Sequence, residues 1–270
     1  MKSIKIGFVS DVQYADIDNH ELCHYRSSLY KLSEAVNYFN SYDLDFVIQL
    51  GDFIEKDWES FNSVFDIWDK LDHKSYHVLG NHDFEVKNSL KIKVPELFGL
   101  KKTYYSFKMG KWNFIFLDGN DLSLTAFPKS SKQYRISEKY LNSFFPKPEW
   151  WNGAIGNEQI VWLNNQLSKC QNNQIKTIIF CHFPIYPNTE FCLWNNHEIM
   201  ELISQYSCVK AWINGHHHVG SYRFINKMHF ITFRGMVDLN DNSFGILNLH
   251  SDKINIDGLG REVSRSLSIC

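Results

Sequence analysis

The fold is decided by the stretch IKIGFVSDVQ at residues 4–13. The apolar run at residues 4–9 has the composition of a buried strand, and Asp11 and Gln13 follow it directly. In open α/β sheets, the loops that leave the carboxyl ends of the strands bind ligands. The stretch therefore predicts a strand that delivers a carboxylate and an amide to a binding site.

The same arrangement of an apolar run followed by a polar loop recurs along the chain. Further apolar runs cover residues 46–50, 76–79, 177–180 and 209–213. The loops after them read GDFIE at 51–55, GNHD at 80–83, CH at 181–182 and GHHH at 215–218. Because neighbouring strands end at one edge of a sheet, we expect these five loops to form one site.

The residue types in these loops indicate two divalent metal ions. A pair of cations roughly 3.5 to 4 Å apart can bind both the attacking and the leaving oxygen of a phosphoryl group. Such a pair needs a bridging carboxylate, and Asp52 is the best candidate. We expect the other ligands to be Asp11, Gln13 and His218 for the first ion, and Asn81, His182 and His216 for the second.

The amide ligands indicate which metal is bound. Gln13 and Asn81 add oxygen donors without negative charge, which keeps the site attractive to a phosphate anion. The first ion has mainly hard donors, which suit Mn²⁺ or Mg²⁺ better than Zn²⁺. The donors of the second ion include two imidazoles and indicate its identity less clearly. We expect Mn²⁺, with Fe, Zn and Mg as alternatives.

Composition restricts the class of protein. The chain has 270 residues, is 44% hydrophobic and carries a formal net charge of −2. We expect a single domain over residues 1–270 that does not bind nucleic acid, since no dense run of Lys and Arg occurs. No apolar stretch is long enough to span a bilayer, and a strand at residue 4 leaves no room for a signal peptide before Asp11. We therefore expect a cytoplasmic protein that does not bind membranes, and its oligomeric state stays open.

Hydrophobic periodicity predicts the rest of the architecture. Helical spacing covers residues 24–40, 60–71 and 157–167, and a hairpin joins residues 104–107 to 112–117. Short strands separated by turns are expected at residues 222–225, 228–233, 244–249 and 253–256. Mixed βαβ units and a meander predict two packed mixed sheets covered by helices. The six cysteines include no C-x-x-C pair, which favours reduced, mostly buried thiols.

The ordered motifs resemble those of the calcineurin-like metallophosphoesterases, whose pattern is D-x-(H/Q), GD, GNH(D/E), H and GH-x-H. Further segments are similar to the manganese-dependent ADP-ribose/CDP-alcohol diphosphatases of this superfamily: DVQYAD at 11–16, YR at 25–26, WNG at 151–153, CLWN at 192–195 and GLGR at 258–261. The resemblance implies a four-layer α/β/β/α sandwich. It also implies hydrolysis of the diphosphate of ADP-ribose-like or CDP-alcohol compounds to two monophosphates.

The resemblance implies catalytic roles for two side chains. His82, in the GNH motif, would protonate the leaving oxygen or stabilise its charge after an activated water attacks phosphorus in line. Glu55 lies three residues after Asp52 and would orient this histidine. A carboxylate partner favours the charged form of an imidazole.

The sequence indicates the substrate-binding residues less clearly than the metal ligands. Tyr25 and Arg26 would approach the substrate phosphates, although an arginine near a helix start can equally be a solvated surface residue. Trp151 and Asn152 belong to a turn that either contacts the substrate or packs the fold; Trp150 shares these alternatives. His217 should face away from the ions, because adjacent side chains of an extended segment point to opposite sides.

Three functions remain open at this point. The first is a diphosphatase that acts on nucleoside diphosphate-linked small molecules. The second is a phosphodiesterase or phosphomonoesterase that uses the same metal centre. The third, a non-catalytic scaffold, is disfavoured because every expected ligand position is filled.

Overall fold

The computed structural model describes residues 3–269, which form fourteen strands and six α-helices. The strands are β1 (Ile4–Val9), β2 (Phe46–Gln49), β3 (Ser75–His77), β4 (Tyr105–Met109), β5 (Trp112–Phe116), β6 (Leu122–Ser123), β7 (Gly153–Ala154), β8 (Lys176–Phe180), β9 (Val209–Asn214), β10 (Ser221–Ile225), β11 (Met228–Thr232), β12 (Ser243–Leu249), β13 (Lys253–Gly260) and β14 (Arg265–Ser268). The helices are α1 (Ser28–Asn40), α2 (Trp58–Trp68), α3 (Val94–Leu97), α4 (Lys132–Leu141), α5 (Asn157–Asn172) and α6 (Asn196–Ser204).

Two six-stranded mixed sheets dominate the fold. The strand order is β14-β13-β12-β1-β2-β3 in the first sheet and β10-β11-β9-β8-β5-β4 in the second, while β6 and β7 pair separately. Strands β1, β2 and β3 are parallel, and so are β5, β8, β9 and β11. All five predicted ligand loops leave the carboxyl ends of these parallel strands.

The sheets pack face to face and helices cover their outer faces. Phe8, Phe114 and Phe180 are among the buried side chains of the layer between the sheets. A second apolar cluster joins α1 and α2 to the first sheet, and a third joins α5 and α6 to the second. This confirms the predicted α/β/β/α sandwich.

A close approach fixes α1 against β1. A methyl group placed on Gly7 of β1 would lie 3.0 Å from the Phe39 ring of α1. Glycine therefore lets the helix seat its buried face directly on the strand that leads to Asp11. Phe39 itself is completely buried.

The helix boundaries differ from the predicted ones. The helix expected over residues 24–40 starts at Ser28, since Tyr25–Ser27 forms a separate 3-10 turn. Helix α2 spans Trp58–Trp68 instead of residues 60–71, and α5 continues to Asn172, five residues beyond the predicted end at residue 167. The apolar pattern identified each helix, but backbone hydrogen bonds, which periodicity does not report, decide its ends.

Helix α4 has no counterpart among the predicted elements. Its buried residues are only Ser137 and Leu141, so the helical period of apolar side chains is missing. One local signal does mark its start: the Ser131 hydroxyl accepts a hydrogen bond from the Tyr134 N–H at 3.1 Å, which is a common N-cap contact. Helix α6 was also not predicted, although Ile199 and Ile203 have helical spacing.

No helix within residues 3–269 is both long and apolar enough to cross a bilayer. The five cysteines of this range are free thiols, four of them buried and Cys23 half-buried. Cys270, the sixth, lies outside the described residues.

Packing of α1 predicts a measurable difference between two of its aromatic residues. Phe39→Ala should lower the free energy of unfolding by about 3 to 5 kcal/mol, because it opens a cavity between α1 and the first sheet. The matched control is Tyr30→Ala on the same helix, where the side chain is 82% exposed and the expected change is within about 0.5 kcal/mol. Urea unfolding curves measure both, and equal effects would contradict this packing role.

Candidate metal centre

Three side chains from three loops bring their ligand atoms together at the meeting edges of the two sheets. Asp52 Oδ2 lies 3.1 Å from His182 Nε2. The same His182 nitrogen lies 3.1 Å from His216 Nδ1. All three side chains are buried, and the three ligand atoms are close enough to hold one metal ion.

A second group of donors surrounds Asp11. His218 Nε2 lies 3.7 Å from Asp11 Oδ1. The backbone N–H of His216 donates to the same carboxylate at 3.0 Å, and Ser10 donates its hydroxyl to it. Asp11 is completely buried. Burial raises the pKa of its carboxyl, while the His218 and His182 imidazoles act in the opposite direction.

Each of the three predicted histidine ligands has a polar partner at its outer ring nitrogen. His182 Nδ1 lies 2.9 Å from the Leu50 carbonyl, and His216 Nε2 lies 2.8 Å from Asn152 Oδ1. His218 Nδ1 lies 2.9 Å from Asp238 Oδ1. An N–H that donates outward leaves the lone pair of the other nitrogen facing inward, which is how proteins prepare imidazoles for metal binding.

Three oxygen atoms at this site have no hydrogen-bond partner although they are buried. They are Gln13 Oε1, Asn81 Oδ1 and Asp52 Oδ2, of which Asp52 Oδ2 has only the His182 imidazole at ion-pair distance beside it. An unsatisfied buried polar atom costs about 1 to 3 kcal/mol. Eight other buried side-chain atoms of the described residues also lack partners, but these three are predicted metal-ligand atoms, for which a cation would supply the missing partner. The donor set therefore fits two divalent cations.

The backbone of the ligand loops adopts an unusual conformation. Four of the predicted ligands have positive φ angles: Asp11 (50°), Gln13 (41°), Asp52 (54°) and His216 (68°). Such conformations cost free energy in non-glycine residues and cluster at functional sites. At this site, the positive φ angles direct the four side chains from the ends of their strands towards one common region.

Asp83 ties two of the ligand loops together. Its carboxylate accepts backbone N–H hydrogen bonds from Phe53 at 2.7 Å, Gly80 at 2.9 Å and Asp52 at 3.1 Å. A methyl group on Gly80 would lie 2.0 Å from Asp52 Oδ1, so only glycine permits this approach. The sequence contains Asp83 within the GNHD motif, yet its role depends on contacts that the motif alone does not reveal.

The site attracts positive charge. Burial alone would raise the pKa of Asp52, but the His182 and His82 imidazoles outweigh burial and lower it. Burial would lower the pKa of His182, but the Asp52 carboxylate outweighs burial and raises it to about 9. Positive charge beside buried carboxylates is what a divalent cation supplies, and binding the metal displaces protons from its ligands.

His82 lies beside this centre with its ring held by Glu55. The His82 Nδ1 atom is 3.1 Å from Glu55 Oε2 and 3.2 Å from the Glu55 backbone carbonyl. Its backbone N–H donates to Asp52 Oδ1 at 2.8 Å. Burial would lower the pKa of His82, but the carboxylates of Asp52 and Glu55 together raise it. The second ring nitrogen remains free to act on a substrate oxygen.

A cavity of about 460 Å³ opens above the ligands. The predicted ligands that line it are Gln13, Asp52, Asn81, His216 and His218, together with His82 and Glu55. Tyr25 and Trp151, predicted to bind substrate, also line it. Trp150 instead is 54% exposed and contacts the Trp151 ring edge-on at 6.2 Å between centroids.

Two predicted substrate residues lie elsewhere. Arg26 does not line the cavity; its exposed guanidinium pairs with Asp16 at 2.5 Å and Asp18 at 2.7 Å. Asn152 is completely buried behind His216. Its side-chain N–H donates to the Glu190 carbonyl at 2.6 Å, so Asn152 orients the predicted ligand His216 and packs the turn. Arg26 is better described as a surface arginine, and Asn152 as a structural residue of its turn.

His217 makes no ligand contact with the buried carboxylates. Its ring stacks on Phe191 with 4.1 Å between centroids and an angle of 11° between planes. Both residues line the outer wall of the cavity. This placement agrees with the expectation that His217 points away from its two histidine neighbours.

Comparisons with known proteins agree with this geometry. The sequence model of the calcineurin-like phosphoesterase family matches residues 4–220. A protein of Xenopus laevis, named manganese-dependent ADP-ribose/CDP-alcohol diphosphatase, is 27% identical, with 97% of this chain and 89% of that protein covered. The Homo sapiens protein of the same name is 28% identical, with coverage of 97% and 92%.

The fold is also similar to that of a solved structure. A dimetal phosphatase from Danio rerio superposes with a TM-score of 0.88 at 24% identity, covering 99% of both chains. The family match contains all five predicted ligand loops, of which GHHH at 215–218 lies nearest its end. This chain belongs to the calcineurin-like phosphoesterase family.

Proposed function

We propose that this protein hydrolyses the diphosphate bond of nucleoside diphosphate-linked small molecules, such as ADP-ribose and CDP-alcohols, to two monophosphates. Two divalent cations, with Mn²⁺ preferred, would be held by Asp11, Gln13 and His218 on one side and by Asn81, His182 and His216 on the other. Asp52 would bridge them. Bound there, the cations would polarise the phosphoryl oxygens and provide a nucleophile at neutral pH.

One observation carries the proposal: three buried oxygens without a hydrogen bond, those of Gln13, Asn81 and Asp52, belong to residues that line the same cavity. A non-catalytic scaffold would have no reason to keep three buried oxygens without hydrogen bonds at one site. Relatives that carry the diphosphatase name match nearly the whole chain, which supports the substrate class. The single domain over residues 1–270 and the cytoplasmic location stay predictions.

The chain itself contributes proton transfer and orientation. Glu55 holds His82 through Nδ1, which directs the opposite nitrogen towards the cavity. From there His82 donates a hydrogen bond or proton to the leaving phosphate oxygen. Tyr25 and Trp151 form part of the cavity wall and would contact the groups attached to the diphosphate. The amides Gln13 and Asn81 bring oxygen donors without repelling the substrate anion.

A substrate panel tests the proposed reaction. With Mn²⁺, the protein should hydrolyse ADP-ribose, CDP-choline and CDP-glycerol faster than cyclic nucleotides or p-nitrophenyl phosphate, and each diphosphate should yield two monophosphates. Zn²⁺ should activate less well, because Gln13 supplies a hard oxygen donor. Products are identified by phosphorus NMR. Preference for p-nitrophenyl phosphate or cyclic nucleotides would instead favour a phosphomonoesterase or phosphodiesterase.

Asp52→Asn tests the bridge. The amide offers one neutral oxygen where two cations would share a carboxylate, so the metal content should fall. Activity should drop by more than about 100-fold, because residues that only orient a ligand typically cost about 10- to 100-fold. Elemental analysis of the dialysed protein measures the metal. Asp66→Asn, at an exposed position on α2, is the control and should retain both properties. Two bound ions and normal turnover in Asp52→Asn would remove this residue from the bridging role.

His82→Ala separates catalysis from metal binding. The substitution keeps the backbone N–H that reaches Asp52, so metal content should change little. Loss of a proton donor should lower kcat by about 10²- to 10⁴-fold, and the loss should shrink for substrates with good leaving groups. His197→Ala, at an exposed position, is the control. An equal loss across a series of leaving groups would assign His82 an electrostatic role instead of proton donation.

A further inference from the structure

A buried lysine on α1 is enclosed by backbone carbonyls of a distant segment. Lys31 is only 4% exposed. Its ammonium, with three N–H groups, lies within hydrogen-bonding distance of four consecutive carbonyl oxygens, those of Leu239 at 2.6 Å, Met236 at 2.8 Å, Asp238 at 3.0 Å and Val237 at 3.3 Å. We call residues 236–239 the carbonyl segment.

Such an arrangement needs a physical reason. A buried ammonium loses its hydration and is retained only where hydrogen bonds replace it. Burial, followed by the Arg261 guanidinium, lowers the pKa of Lys31 to about 8, whereas Asp238 and Asp241 act in the opposite direction. Four carbonyl dipoles that point at one spot repel each other, and a cation at that spot removes the repulsion. Lys31 therefore determines the shape of the carbonyl segment.

The carbonyl segment leads directly to the metal centre. The Val237 N–H donates to the Asp11 carbonyl at 2.9 Å, and the Met236 N–H donates to the Ser10 carbonyl at 2.8 Å. These two bonds hold the loop that carries Asp11. The Asp238 side chain accepts from His218 Nδ1. The segment thus touches two predicted ligands of the first ion.

We infer that Lys31 is a positioning residue for the first metal ion: its ammonium holds the carbonyl segment in the shape that keeps Asp238 on His218 and supports the Asp11 loop. The ammonium acts as a cation tethered to α1 and does not touch the substrate. This inference deepens the proposed function because it rests on the same metal centre. Its consequence is that Mn²⁺ affinity depends on a residue that is not a ligand.

The first experiment measures Mn²⁺ binding without substrate. In Lys31→Ala, one of the two Mn²⁺ binding steps, followed by calorimetry or by the EPR signal of free Mn²⁺, should weaken about 10- to 100-fold, the range for residues that orient metal ligands. Because Ala leaves room among the carbonyls, ammonium chloride should restore part of this affinity. Tetramethylammonium chloride at equal ionic strength should not, since this cation has no N–H groups and is too large for the space that the lysine side chain leaves. Because no substrate is present, the outcome does not depend on which phosphate compound is hydrolysed.

A matched control is Lys91→Ala. Lys91 is 8% exposed and also donates to a backbone carbonyl, that of Thr125, which does not belong to the carbonyl segment. Its removal should reduce stability without changing Mn²⁺ affinity, and ammonium should have no effect. Equal losses of affinity in the two variants would reduce Lys31 to a general stabilising residue and overturn the inference.

A second variant covers the case in which Lys31→Ala does not fold. Lys31→Met keeps the apolar stem and removes only the charge. If Lys31 acts through Asp238, the double variant Lys31→Met/Asp238→Asn should bind Mn²⁺ about as weakly as Asp238→Asn alone, since coupled residues are not additive. Additive losses, or wild-type affinity in a folded Lys31→Met, would overturn the proposed route through Asp238.

Discussion

The structure depends on the burial of two carboxylates, Asp11 and Asp52, where the edges of two sheets meet. Both side chains are withdrawn from water, and a buried negative charge is costly unless a cation pairs with it. The imidazoles of His182 and His218 lie within reach of these carboxylates. The other residues of the site orient donor atoms around that charge. This explains why some of these donor atoms lack hydrogen-bond partners although together they form a full set of predicted metal ligands.

The scaffold supplies the rigidity that such a site needs. Ligands on loops are precise only when those loops are held, and here Asp83 joins two of them through backbone N–H groups. The left-handed residues at the strand ends cost free energy. Three large apolar clusters, one between the sheets and one beneath each helical layer, offset that cost. Stability and function are therefore separated: the layers stabilise the fold, and the strand ends carry strain and chemistry.

Residues from distant parts of the chain contact the predicted histidine ligands at the ring nitrogen that faces away from the site. Asn152 stands behind His216, Asp238 behind His218, and the Leu50 carbonyl behind His182. Each contact selects which ring nitrogen faces the site. The carbonyl segment and Lys31 extend this support to α1. The metal centre is thus continuous with the packing of the first helical layer, because the helix that buries Phe39 also presents Lys31.

The sequence by itself determined the α/β class, the paired sheets, the ligand loops and the residue types for metal binding. These properties are local: an apolar run predicts a strand, and the polar residue after it lies at the strand's carboxyl end. Only the tertiary structure decided that Asn152 contacts His216 and that Arg26 pairs with Asp16 and Asp18 outside the cavity. It also decided that Asp238 contacts His218 and that Lys31 contacts the carbonyl segment. Lys31 contacts residues more than 200 positions away, and helix α4 buries only a serine and a leucine. Hydrophobic periodicity reports neither long-range hydrogen bonds nor burial of small polar side chains, since both arise only when distant elements pack.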